Sequence, residues 1–131
     1  MRRAVVMVIE HGTRFVAIRR AAGTLRPGYW APPSGRLEPG ESEADAVQRE
    51  AREELGLEVV PVAPLWACPS DDGAWQLAWW RARADGDVLR PDPREVAAAR
   101  WVTAAEFLAL TPTFARHREF FARLYRPGAA P

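Results

Sequence analysis

The sequence predicts an α/β domain, and three observations predict it. Segments dense in β-branched and aromatic residues, such as AVVMVI at 4–9 and WQLAWWRARA at 75–84, are separated by Gly, Pro and Asp, as strands are. The stretch GRLEPGESEADAVQREAREELGL at 35–57 carries helix-start and helix-stop residues around an acidic run. Near the C-terminus Phe114, His117, Phe121 and Leu124 recur at helical spacing, so a last helix should close one face of the sheet.

At 131 residues and 48% hydrophobic, the chain is expected to form a single domain, 1–131, with one core. A formal net charge of +1 gives no electrostatic case for a nucleic-acid polymer or an anionic membrane as the main partner. The run 4–9 is too short to span a bilayer. The lone Cys68 excludes an intramolecular disulfide framework, and the N-terminus lacks the apolar core of a secretory signal, so a cytoplasmic location is the expectation.

In chain order, AVVMVI is β-branched and unbroken, which suits a strand covered on both faces. His11 and Gly12 make a turn, with His11 an ordinary turn histidine, and RFVAIRR at 14–20 is the hairpin partner. A Gly- and Pro-bearing loop leads to WAPPSG at 30–35, whose prolines confine it to an edge or a bent entry segment. After Gly56, LEVVPVAPLWAC at 57–68 is apolar but interrupted by Pro61 and Pro64, predicting a bent strand or two short ones. PSDDG at 69–73 turns into the Trp-rich strand 75–84, where the adjacent Trp79 and Trp80 point to opposite faces. One packs in the core; the other, or Trp75 or Trp66, is a candidate for stacking on a nucleobase. RWVT at 100–103 is a short late strand, and Thr103 with Glu106 forms a capping box for a helix at about 104–110. Pro112 separates it from a final helix, 113–125, in which His117, between Arg116 and Arg118, reads as a partly buried helix residue rather than a ligand, the alternative being that the three line a phosphate pocket. The residues from Pro127 to Pro131 read as a loose tail.

The chemistry is concentrated in 35–57. Ser42 and Asp45 start a helix and Gly56 stops it, giving about Glu43 to Leu55. At roughly 100° per residue Ala44, Val47, Ala51 and Leu55 form one stripe, and Glu50, Glu53 and Glu54 an adjacent arc facing out of the core. Glu50 and Glu54 are a like-charge i,i+4 pair, unfavourable unless neutralised. A hard divalent cation does so while also taking phosphate oxygens. The ordinary alternative is a solvated surface helix.

The residues Gly35, Glu41, Arg49, Glu50, Glu53, Glu54 and Gly56, with Ala51 and Leu57 at apolar places, resemble the Nudix box, G-x5-E-x7-R-E-U-x-E-E-x-G-U. Trp30, Pro33 and Gly35 match a segment that commonly precedes it. The resemblance implies an α/β/α sandwich with a mixed sheet between helices, and hydrolysis of a diphosphate linkage in a nucleoside diphosphate derivative. It implies Mg²⁺ or Mn²⁺ as cofactor. Glu53 and Glu54 would be primary ligands and Glu50 a further ligand or the group that helps activate water, with Gly35 contributing through its backbone. Arg49 would orient the glutamates and Glu41 would stabilise the loop. Trp30 would be core packing or a wall for a base, Trp75 a candidate for stacking, and Glu95 either an assisting carboxylate or a plain surface one. A (deoxy)nucleoside triphosphate is the favoured small-molecule substrate; a nucleotide sugar, ADP-ribose or a non-catalytic binding module is the alternative. The Trp-rich strand could serve a homodimer interface.

Overall fold

A computed structural model of the chain describes residues 2–128. Strand β1 (Arg2–His11) is its axis, and Ala4 to Ile9 are all buried, as the unbroken apolar run requires. One edge of β1 pairs in parallel with β6 (Trp75–Ala84), from Arg2↔Trp75 to Glu10↔Arg83. The other edge is shared. β2 (Arg14–Arg20) meets it at Glu10↔Phe15 and His11↔Arg14, and β4 (Ser34–Arg36) at Ala4↔Arg36, Val5↔Gly35 and Val6↔Ser34. The expected hairpin is therefore splayed. β3 (Trp30–Ala31) pairs with β2, so WAPPSG supplies two short strands, separated by Pro32 and Pro33, which have no N–H to donate.

β5 (Val59–Pro69) lies on the outer edge of β6 as one strand of 11 residues, rather than two short ones. Its register slips between Pro61 and Ala63 and again between Pro64 and Trp66, so bulges absorb the prolines without ending the ladder. Because β6 has neighbours on both edges, the Trp-rich strand has no free backbone edge for the expected homodimer interface. β7 (Val96–Val102) begins earlier than RWVT suggested, since Arg20↔Val96 and Ile18↔Ala99 already pair.

Alternation along the strands sends Val5, Met7 and Ile9 to one face and Val6 and Val8 to the other. The first face carries α1 (Glu43–Leu55), with Ala46, Val47, Ala51 and Leu55 buried; Ala44 is only half-buried. The second face carries α2 (Ala104–Leu108), shorter than expected but closed by the predicted Thr103–Glu106 capping box. Instead of one helix over 113–125, α3 (Ala115–Glu119) passes into a π-helical turn, Phe120–Leu124, where Tyr125 N–H donates to the Phe120 carbonyl at 2.8 Å. The wider turn advances less per residue. Leu124 is thereby rotated outward to 48% exposure, and Phe120, Phe121 and Tyr125 are buried. Phe121 stacks on Phe15 at 4.4 Å and Phe120 on Trp79 at 4.4 Å. Trp66 joins this aromatic cluster, and Trp80 packs on the other face and donates from Nε1 to Glu43. Among the described residues, no helix is long and apolar enough to cross a membrane.

Candidate functional site

Both ends of α1 are fixed by local chemistry. Ser42 Oγ accepts from Asp45 N–H at 3.1 Å, and Gly56 takes the left-handed conformation, φ 64°, that ends a helix without a Cβ clash. The last carbonyls are used by the loop before β7: Arg90 N–H donates to Leu55 O at 2.8 Å and Asp92 N–H to Glu54 O at 2.9 Å. That loop therefore brings Glu95 to the C-terminal turn of the helix, and the Glu95 carbonyl accepts from Ala21 N–H at 3.1 Å.

Arg49 is the hub of the acidic arc. Its Nε and Nη2 donate to Glu41 at 2.7 and 2.9 Å, its Nη1 to Glu50 at 2.8 Å and Glu53 at 3.1 Å, and Nη2 also to the Arg36 carbonyl at 2.9 Å. Such a fork spans several oxygens, which an ammonium could not do in one geometry. Glu41 in turn accepts from Glu38 N–H at 2.9 Å, closing the loop between β4 and α1. The paired guanidinium holds the Glu41 carboxyl down at about 2 and raises Arg49 above the usual arginine value.

Glu54 does not face out of the core as the helical wheel suggested. It is 6% exposed, and its Oε2 has no hydrogen-bond partner. Burial pushes its carboxyl well above the usual range, the charges of Glu50 and Glu95 push it further, and Arg20 opposes them. Glu50 is raised too, by burial first, with Arg49 opposing. Gly35 makes this packing possible: a Cβ there would sit 2.0 Å from Glu50 Cδ. Two adjacent, desolvated carboxyls with a free oxygen are a place where positive charge is missing. Glu53 lines the same cleft, exposed and held by Arg49 Nη1 at 3.1 Å, and among the described residues no three Asp, Glu, His or Cys side chains close into a metal cage. Mg²⁺ needs none, because it is held by one or two carboxylates together with waters and substrate phosphates. Glu50 and Glu54 fit it.

These groups line a cleft of about 1420 Å³ on the sheet face beside the C-terminal layer, with Ala4, Val6 and Leu77 in its floor. Gly35, Arg49, Glu50, Glu53, Glu54, Trp75 and Glu95 all line it. Trp30 does not: it is 7% exposed in the aromatic core, with the Arg100 guanidinium 4.4 Å from its ring centroid. Of the six tryptophans, only Trp75 reaches the cleft. Arg116 and His117 line it, whereas Arg118 turns back to donate to Leu108 O and Leu110 O. His117 is buried against Trp79 and Phe114, and that burial lowers it to about 4.

Sequence reasoning missed Arg20. It lies in the cleft with its Nε donating to Leu25 O, its pKa lowered by burial and opposed by Glu54 and Glu95. The signal was present: Val16, Ile18 and Arg20 alternate on one face of β2, so an arginine ends an inward-facing series. Asp71 was also missed; it accepts from Ala115 and Arg116 N–H and ties the β5–β6 turn to α3.

The model of the NUDIX domain matches residues 1–124. The chain belongs to the Nudix family. It is 32% identical over 123 residues to the NAD-capped RNA hydrolase NudC of Deinococcus radiodurans, covering 88% of this chain and 42% of that protein. It is 35% identical over 101 residues to a Mycobacterium tuberculosis protein provisionally named 8-oxo-dGTP diphosphatase 2, covering 75% of this chain and 70% of that one. The chain thus spans about two fifths of NudC, and only 19% of the mouse 8-oxo-dGDP phosphatase NUDT18, which it also matches. The fold matches the MutT Nudix hydrolase of Burkholderia pseudomallei with a TM-score of 0.81 at 23% identity, covering 95% of this chain and 98% of that one. A MutT protein from Methanosarcina mazei Go1 follows at 0.80. The Nudix α/β/α sandwich expected from the box is therefore the fold of this chain.

Proposed function

We propose that this chain hydrolyses a diphosphate linkage in a nucleoside diphosphate derivative with Mg²⁺ or Mn²⁺, and that a (deoxy)nucleoside triphosphate is its substrate. The carrying observation is the buried Glu54, with an unpartnered oxygen beside Glu50 in the cleft. Glu50 and Glu54 would hold the ion, with Glu53 on the solvent side and the Gly35 backbone completing the wall. The chemistry that a bound divalent cation supplies is neutralisation of phosphate charge and acidification of a water molecule. Arg49 keeps the Glu50 carboxylate in one orientation, so its position is set before substrate arrives. Arg20 would offer a desolvated guanidinium to phosphate oxygens, and Glu95, which lines the same cleft, would be an assisting carboxylate. Trp75 forms part of the substrate wall.

The triphosphate reading is supported by the name of the M. tuberculosis relative and by a nucleoside triphosphatase NudI of Enterobacter sp., 38% identical over 73 residues. The NudC similarity favours a second reading, a diphosphate bearing a longer chain. The test is phosphate or pyrophosphate release from nucleoside triphosphates, ADP-ribose, nucleotide sugars and dinucleoside polyphosphates, with Mg²⁺ or Mn²⁺ and with chelator. We expect one substrate class whose turnover disappears in chelator and in Glu53→Gln/Glu54→Gln. Turnover that survives both would sink the proposal.

A further inference from the structure

The cleft does not end at the acidic helix. It continues past the β4–α1 loop into a second groove, and Arg36, Leu37, Glu38, Pro39 and Trp75 line both. The strand registers explain what gathers there. Arg2 pairs with Trp75 across β1 and β6, and Ala4 pairs with Arg36 across β1 and β4. Alternation then puts Arg2, Arg36 and Trp75 on the same sheet face as Ala4 and Leu77 of the cleft floor. The guanidinium carbons of Arg2 and Arg36 lie 5.4 and 5.2 Å from the Trp75 ring centroid.

Neighbouring charges are mostly taken. Of the ionic groups around this groove, Arg3 is paired with Glu43, and Glu41 is occupied by Arg49. Glu38 lies 3.7 Å from Arg49 Nε. Arg2 and Arg36 are exposed and, among the described residues, have no carboxylate partner. A guanidinium held against an indole keeps its N–H fork available to a tetrahedral oxyanion while its flexible stem is restrained. Two such groups beside one ring, continuous with a cleft for a diphosphate, form an anion site one step beyond it.

We propose that the Arg2–Trp75–Arg36 cluster is a second phosphate-binding subsite, receiving a phosphate group that the substrate carries beyond the diphosphate to be cleaved. The inference rests on the diphosphate reading of the cleft. Two sources carry such a group: the terminal phosphate of a nucleoside polyphosphate, and the first phosphodiester of an oligonucleotide whose 5′ end bears the diphosphate.

The test compares binding of three probes with a non-hydrolysable methylene bridge between the α and β phosphorus atoms: a nucleoside diphosphate, a nucleoside triphosphate, and a tetraribonucleotide 5′-diphosphate. Wild type, Arg2→Gln/Arg36→Gln and Arg2→Lys/Arg36→Lys are titrated by calorimetry with Mg²⁺. The glutamine variant should bind at least one extended probe about tenfold or more weakly, with the diphosphate probe changing less than about twofold. The lysine variant should recover part of the loss, since it keeps the charge without the planar fork. For the oligonucleotide, the dependence of log affinity on log salt should become shallower by about 0.7 for each phosphate that is no longer neutralised. A loss confined to the triphosphate assigns the subsite to a terminal phosphate, and one confined to the tetranucleotide assigns it to a phosphodiester. Equal losses for all three probes, or none, overturn the subsite. Binding is read without turnover, so an inactive protein that still shows the charge-dependent difference would overturn the hydrolase reading alone.

Discussion

Two glutamates are buried in this chain to nearly the same degree, and they are opposites. Glu10, 7% exposed, accepts from Arg81 Nε at 2.8 Å, from Gly128 N–H at 3.0 Å and from the Tyr125 hydroxyl. It fastens the end of β1 to β6 and to the segment after the π-helical turn. Glu54, 6% exposed, has an oxygen with no partner and two acidic neighbours. The same side chain at the same depth is a fastening where its charge is matched, and where it is not matched it is left with an unpartnered oxygen, the feature on which the proposed metal site rests. Burial alone identifies neither role; the partners do.

The contrast breaks most visibly at Glu10. Glu10→Ala leaves the Arg81 guanidinium without its carboxylate, and we expect a loss of about 3–5 kcal/mol in urea unfolding. A loss under about 1 kcal/mol would show that Glu10 is no fastening. Glu54→Gln should move the other way. Turnover should fall about 10²–10³-fold, as when a single electrostatic stabiliser is removed. In chelator, however, the variant should be at least as stable as wild type. The sign follows from the raised carboxyl: the folded state holds the proton more tightly than the unfolded chain, so its contribution is present below the unfolded value of 4.5 and lost as pH rises above it. Removing the ionisable group removes that loss, and a less stable metal-free Glu54→Gln would contradict the contrast.

His117 extends the comparison to a buried base. Its folded value of about 4 lies below the ordinary 6.5, so its stabilisation is complete above pH 6.5 and is lost as pH falls toward 4. The shift corresponds to about 3 kcal/mol at most. Unfolding free energies of wild type and His117→Phe, measured from pH 7 down to 4, should therefore converge as the wild type weakens, and parallel curves would refute the assignment. The smallest effect is expected at Gly35→Ala, where displacing Glu50 should cost about 1–3 kcal/mol of stability. If Glu50 simply rotates away, stability holds and activity falls instead, and paired denaturation and turnover measurements separate the two.

The helix and its acids were legible because their determinants are local. Ser42, Asp45 and Gly56 lie within the segment they bound, and the observed limits Glu43–Leu55 match the reading. The strands were legible in kind, but β7 was read late because VAAA carries little β signal and is held by pairing with β2. Pairing also kept β5 whole across two prolines. The π-helical turn was invisible, since Phe121 and Leu124 keep an α spacing in sequence while the wider turn moves one of them out. At the site, the box was readable, and Glu95, open in the sequence between an assisting and a plain surface carboxylate, lines the same cleft, whereas the facing of Glu54 was misjudged. A helical wheel knows angles but not the neighbours that cover them, here β4 and the loop that donates to the Glu54 carbonyl. The fastening role of Glu10 was unreadable because Tyr125 and Gly128 are 115 and 118 residues away in sequence.

The outer edge of β5 bears on self-association as well as on folding. It is long, and Val60 and Val62 are 47% exposed on it, the profile of a strand on which other chains could stack into fibrils. Pro61 and Pro64 withdraw two donors, and the slips beside them twist what remains out of a flat template. The bends that made the strand hard to read thus also guard the molecule against coalescing with its own copies.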